Sequence, residues 1–179
     1  DLQVQISSHQ IENDPNSFTY YTSNASSGYN RGFELETTIE ILPSLKLNYS
    51  FGYLKTHVNE FSYPVGYFED DTTFTNPIME IYGNREQAMA PNYNSSLHLH
   101  YFHNSGFFVN NNITSKDEYY FSDSHNQKSN PYSLLNTDIG FKRNNFLISI
   151  WGKNITDVRY AVRGFYFGLE PPNYEEKLF

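Results

Sequence analysis

From Gly32 to Tyr53 the chain alternates with a period of two. Phe33, Leu35, Thr37, Ile39 and Ile41 fall on one side of an extended backbone, and Glu34, Glu36, Thr38 and Glu40 fall on the other. Beyond Pro43 and Ser44 the pattern resumes, with Leu45, Leu47, Tyr49, Phe51 and Tyr53 facing away from Lys46, Asn48, Ser50 and Gly52. This predicts two antiparallel strands joined by a tight turn, each arm about ten residues long, which is the length a tilted strand needs to cross a bilayer. One such hairpin equally suits half of a soluble antiparallel sheet whose oily face covers a core. Repetition along the chain separates the two readings.

Leu2, Val4 and Ile6 alternate with Gln3, Gln5 and Ser7 in a short strand ending near Ile11, followed from Glu12 to Gly28 by Asn, Asp, Pro, Ser and Thr typical of a loop. Tyr20 to Asn30 can already belong to the strand that rises through Gly32. A long connection without sustained period, about residues 55–90, contains Pro64, Pro77 and the acidic run Glu69, Asp70 and Asp71. Tyr93 to Tyr101 and Phe107 to Lys116 form the next alternating pair around a turn at His103 to Gly106, and a polar loop runs roughly from Asp117 to Pro131. Leu135 to Phe141 and Phe146 to Lys153 form the last pair, around Lys142 to Asn145; Asn154 to Phe179 does not alternate. Short connections near residues 43, 104 and 144 thus separate long ones. Membrane barrels sort their connections in this way, with short turns on the periplasmic side and long loops outside, whereas a soluble sandwich has no cause to.

Composition strengthens the membrane reading. Only 38% of the 179 residues are hydrophobic, too few for a generous water-excluding core, while 16 Tyr and 15 Phe suit aromatic girdles or, alternatively, sugar-stacking platforms. No apolar run reaches the eighteen residues of a membrane helix. A net charge of −8 with scattered Lys and Arg argues against nucleic acid as a partner, and the absence of cysteine excludes a disulfide scaffold and thiolate metal sites. The sequence opens on Asp1 with strand pattern under way, so a signal peptide is expected to be absent or upstream.

The candidate chemistry is sparse. His98 and His100 share a strand face near His103, as two ligands of a divalent metal would, but no third ligand is evident and solvated lumenal histidines explain them better. Glu34, Glu36 and Glu40 could form a glycosidase-like pair, with neighbours on one face about 7 Å apart, or simply line a wet interior. The Glu69 to Asp71 run lacks the spaced ligands and turn glycine of a calcium loop. Sequons at Asn24, Asn48, Asn94, Asn112 and Asn154 fall mostly in predicted strands and reflect polar faces rich in Asn, Ser and Thr. No catalytic residue, resident metal or cofactor is expected.

At Ile150 to Tyr160, IWGKNITDVRY, the chain resembles the C-terminal barrel signature of TonB-dependent outer-membrane receptors, with Ile155 where leucine is usual. Gly32-Phe-Glu-Leu-Glu after a Tyr-Asn pair, Ala90-Pro-Asn-Tyr opening a strand, and Lys116-Asp-Glu-Tyr-Tyr-Phe-Ser-Asp-Ser-His agree with it. The resemblance implies an all-β antiparallel meander of about seven or eight transmembrane strands, residues 1–179 forming part of a 22-stranded barrel in the bacterial outer membrane. It implies that the N-terminal plug and the closing strand lie outside this sequence, since Glu175 to Phe179 does not alternate, and that the isolated piece would not transport. Its Asn154, Thr156, Asp157 and Tyr160 would be structural, closing a strand at the outer rim. The implied partners are membrane lipid, the receptor's own plug, TonB acting through it, and a scarce nutrient such as an iron–siderophore complex or cobalamin.

Exposed aromatics and arginines suit planar anionic chelates, which makes Tyr82, Arg85, Tyr120, His125, Arg163, Tyr166 and Phe167 the candidate ligand contacts in the loops. The alternatives are a soluble extracellular β-sandwich binding carbohydrate and a small eight-stranded barrel with a structural or adhesive role. The sandwich requires the face of Phe33, Leu35, Ile39 and Ile41 to lie against a second sheet. The receptor requires that face to be turned toward lipid.

Overall fold

The computed structural model describes residues 3–9, 18–24, 26–67, 77–123 and 126–164, and among these there are ten strands and no helix. Six strands make one antiparallel sheet: β3 (Gly28–Leu42), β4 (Leu45–Val58), β7 (Tyr93–Phe102), β8 (Phe107–Lys116), β9 (Tyr132–Arg143) and β10 (Phe146–Gly152). Their spatial order follows chain order, an up-and-down meander with β3 and β10 at its edges. β1 (Gln3–His9) and β2 (Phe18–Asn24) form a separate hairpin, as do β5 (Phe61–Tyr67) and β6 (Pro77–Tyr82).

Two sequence expectations change. The stretch from Tyr20 is not the lower part of the Gly32 strand: β2 pairs back onto β1, Gln3 opposite Asn24, and β3 starts afresh at Gly28. The long connection after β4 contains the β5–β6 hairpin, whose register shifts between Pro64 and Gly66. Proline has no ladder donor and glycine favours a bulge, so this hairpin breaks the alternation that would announce it. The acidic run Glu69 to Asp71 lies outside the described residues.

The short connections have local causes. Pro43 and Ser44 alone join β3 to β4, and Asn144, with φ at 52°, helps turn β9 into β10. Gly106 turns β7 into β8 with φ at 103°, where a Cβ would collide with the Lys142 carbonyl, so glycine answers both demands.

Register gives the sheet two unlike faces. One carries the cross-strand rows Leu35–Phe51, Thr37–Tyr49–Leu97–Ile113–Leu135 and Tyr101–Val109–Ile139–Ile150. These side chains are not covered by a second sheet: Leu35, Ile39 and Ile41 are each about half exposed, and Ile150 is 82% exposed. Aromatics cluster at both ends of this face. Phe33 packs against Phe51 and Tyr53, and Phe51 stacks on Tyr93, near the long connections; Tyr101 meets Phe107 edge-on near the short ones. From Phe33 to Ile41 the apolar row runs about 26 Å along the strand, comparable to the height of a barrel's lipid-facing band. Polar pairs interrupt the face on the later strands: Thr137 Oγ1 donates to Asn111 Oδ1 at 2.8 Å, and the Ser115 and Ser133 hydroxyls share a hydrogen bond at 2.7 Å in the row that continues from Phe51 through Ser95.

The opposite face is polar throughout its middle. Asn112 Nδ2 donates to His98 Nε2 (2.8 Å) and to Ser96 Oγ (3.1 Å), and Asn136 Nδ2 donates to Asn112 Oδ1 (3.2 Å). One row along, His100 Nδ1 bonds Asn110 Oδ1 (3.0 Å), and Asn110 Nδ2 reaches Asp138 Oδ2 (3.4 Å). On the first strand pair Thr38 Oγ1 donates to Asn48 Oδ1 (2.9 Å). Amides and imidazoles therefore satisfy one another across three strands, as a water-filled or protein-filled lumen requires.

Candidate functional site

The two long connections, 59–92 and 117–131, and the segment that follows β10 leave the same end of the sheet, and there they pack into one rim. Met89 N–H donates to the Tyr120 carbonyl, Ser129 N–H donates to the Tyr119 carbonyl, and Tyr119 Oη donates to the Val162 carbonyl at 3.1 Å. Tyr119 and Phe121 meet edge-on and are buried with Ala161; a Cβ on Gly164 would run into the Phe121 ring. Below them Thr56, 1% exposed, receives the Gln87 N–H on its hydroxyl. This small water-excluding core is built mostly by the connections, with the end of β4 beneath it.

Charges knit the rim further. Lys55 Nζ lies 2.6 Å from Glu86 Oε1, Lys128 Nζ 3.8 Å from Glu86 Oε2, and Lys128 also pairs with Glu118 at 2.8 Å. The hydrogen bond from Lys55 holds the Glu86 carboxyl below the usual glutamate range against a smaller opposing effect of burial. The bond to Glu118 raises Lys128 in the same way, and desolvation raises the Tyr119 phenol. The Tyr120 ring sits between two cations, Arg85 at 4.2 Å and Lys128 at 4.4 Å from its centroid.

Of the seven candidate contacts, the structure brings Arg85 and Tyr120 together. The Arg85 guanidinium also donates to the Ser122 carbonyl (2.6 Å) and to Asn126 Oδ1 (2.7 Å), so it ties the first long connection to the second. Tyr82 lies on β6, its ring 6.4 Å from that of Phe61. Arg163 is exposed beside buried Gly164. His125, Tyr166 and Phe167 lie outside the described residues.

The Gly-Lys-Asn segment forms a pinned turn. Asn154, with φ at 47°, donates through its amide to the Val158 carbonyl (3.0 Å) and accepts the Val158 N–H on Oδ1 (3.0 Å), while its own N–H bonds Asn136 Oδ1 (2.9 Å). Asp157 is also left-handed, its N–H returning to the Asn154 carbonyl. Tyr160 stacks on Tyr132 with ring centroids 4.3 Å apart, and Thr156 is exposed. Asparagine suits this place because its short amide tolerates the left-handed conformation and closes the turn on both sides.

Sequence reading missed Glu86, Lys128 and the buried Tyr119 and Phe121, since no periodicity marks side chains that converge from separate connections. His98 and His100 stack 5.9 Å apart, His98 Nε2 engaged by Asn112 and His100 Nδ1 by Asn110, and among the described residues no three metal-ligating side chains converge. Glu34, Glu36 and Glu40 lie exposed on β3 at the edge of the polar face.

No solved structure matches the chain. The family model described as "TonB dependent receptor-like, beta-barrel" matches residues 3–155, nearly the whole of the described sheet and its turns. With a lipid-length apolar face, a polar face and loops sorted to one end, the chain belongs to this family of outer-membrane receptors and transporters of Gram-negative bacteria.

Proposed function

We propose that residues 1–179 form part of the wall and mouth of a receptor barrel through which a scarce nutrient, such as an iron–siderophore complex, is taken up with energy passed on by TonB through a plug. The observation that carries this reading is the family match over residues 3–155 on a sheet whose apolar face stands uncovered. The two edges of the sheet, β3 and β10, have one neighbour each among the described residues, which fits a segment of a larger wall. Exposed edges in lipid cost several kcal/mol per unpaired backbone group, so further strands on both sides follow from the same physics. The apolar face speaks against the carbohydrate-binding sandwich, which needs a second sheet over Phe33 and Leu35; those side chains are 59% and 49% exposed.

Arg163 and the Arg85–Tyr120 pair are the loop groups suited to an anionic chelate, Arg85 by shaping the rim. Uptake by cells expressing the full-length receptor tests the proposal: nutrient import should require both the receptor and TonB. Import that persists without TonB would overturn it. Arg85→Ala and Arg163→Ala should each weaken ferric-chelate binding by the full-length receptor, and unchanged affinity in both removes them from the contact set.

A further inference from the structure

β8 and β9 lie inside the sheet with β7 and β10 on their flanks, so what their outward side chains meet does not depend on strands beyond this chain. On the apolar face, Asn111 stands in the row Leu99, Asn111, Thr137 and Gly152, and it is the one carboxamide that the six strands turn that way. Phe107, at the short-turn end of β8, and Ser115, toward the rim, are each four residues away, about 13 Å along the strand. Asn111 therefore lies near the middle of the apolar band.

The bond with Thr137 satisfies only part of this amide. Thr137 Oγ1 fills one lone pair of Oδ1; the second lone pair is spare, and among the described residues Nδ2 meets no acceptor. Acyl chains accept nothing, and a side chain this short cannot snorkel to headgroups or water about 13 Å away, as a lysine or arginine near a strand end would. Apolar rows border the pair on both sides, Leu97, Ile113 and Leu135 toward the rim and Tyr101, Val109 and Ile139 toward the short turns. Ile113 and Ile139 are 40% and 44% exposed, so neighbouring side chains do not close over the patch.

A spare donor beside a spare acceptor is complemented by the same group turned around. Across a two-fold axis normal to the membrane, each Asn111 Nδ2 donates to the other Oδ1 and each apolar row meets its own copy, which is the self-complementarity an isologous contact needs. Contacts between membrane segments are held by packing and by such hydrogen bonds, and one polar pair in an oily seam also fixes its register.

We propose that the outward face of β8 and β9 is the contact through which two copies of the receptor pair side by side in the membrane, with Asn111 at the two-fold axis. The inference uses the membrane placement of the family and is independent of which nutrient is carried.

Oxidative cross-linking of the full-length receptor in isolated outer membranes tests it. Ile113→Cys, beside the axis, should cross-link to itself, and Ile39→Cys, at nearly the same depth but three strands away, should not. Asn111→Leu with Thr137→Val removes both polar partners at once and nearly keeps their size. That pair of changes should cut the Ile113→Cys dimer at least fivefold while the yield of receptor in the membrane is unchanged. A second measurement needs no substitution: energy transfer between donor- and acceptor-labelled wild-type receptor in lipid vesicles should fall as lipid is added. Absence of transfer, equal cross-linking at residues 39 and 113, or a dimer indifferent to the double variant overturns the inference, as does cross-linking of Ile113→Cys to another protein alone. TonB-dependent import by a receptor that stays monomeric sinks it and leaves the nutrient reading standing; a dimer that imports nothing does the reverse.

Discussion

The sheet and the rim solve the same problem for different solvents. Across six strands the sheet leaves its branched and aromatic side chains uncovered, with Ile148, Ile150 and Phe146 all more than half exposed, while its polar side chains bond one another. At the rim the arrangement is the ordinary one for water: Tyr119, Phe121 and Ala161 are buried, and lysines and glutamates surround them. A residue's exposure in this protein therefore reports which liquid it meets. Hydrocarbon replaces a core along the strands, and the connections must build their own.

Emptying the rim core has the largest expected effect. Phe121→Ala removes a buried ring packed by Gly164 and Tyr119 and should cost about 3–5 kcal/mol of local stability. Hydrogen exchange on the full-length receptor would show faster exchange in residues 83–92 and 117–131, with the strands unchanged. Loss of protection throughout the sheet would mean that rim and wall are not separate. A charge in the oily face probes the other half: Leu99→Arg, in a row with Leu47, should cost about 2–4 kcal/mol near the bilayer centre. Reversible unfolding from lipid vesicles measures it, and a cost near zero would place Leu99 in water.

The smallest effect is set by pH. Glu86 titrates below its ordinary range when folded, so its contribution is complete above that range and is lost as pH falls through the lowered value. Lys128, raised when folded, contributes below the ordinary lysine range and loses that contribution as pH rises through the raised value. Because these pairs are partly solvated, each is worth about 1 kcal/mol or less. Acid below the ordinary glutamate range should loosen residues 86 and 128 before the strands, and Glu86→Gln should flatten that response; an acid response that survives the substitution assigns it to another carboxylate.

The alternating strands were legible because one side chain in two had to meet lipid: the rows through Leu35, Leu99 and Ile139 can be read from spacing alone. The same logic failed at β5 and β6, where Pro64 and Gly66 interrupt the ladder and the residues around them need not alternate. It failed again at the rim, since the union of Arg85, Tyr120 and Lys128 brings together two separate connections with no period to link them. Asn154 was legible by resemblance only, and the structure supplies its reason in the bonds it makes to Val158 and Asn136.

The hydrogen bond between Thr137 and Asn111 acts on how the wall is assembled as well as on how it stands. Sliding β8 past β9 by two residues would keep every side chain on its own face, so alternation alone tolerates the error. It would, however, leave a carboxamide and a hydroxyl facing acyl chains without each other. That penalty falls on the mispaired arrangement and spares the native one, so the pair favours the native alignment of β8 against β9.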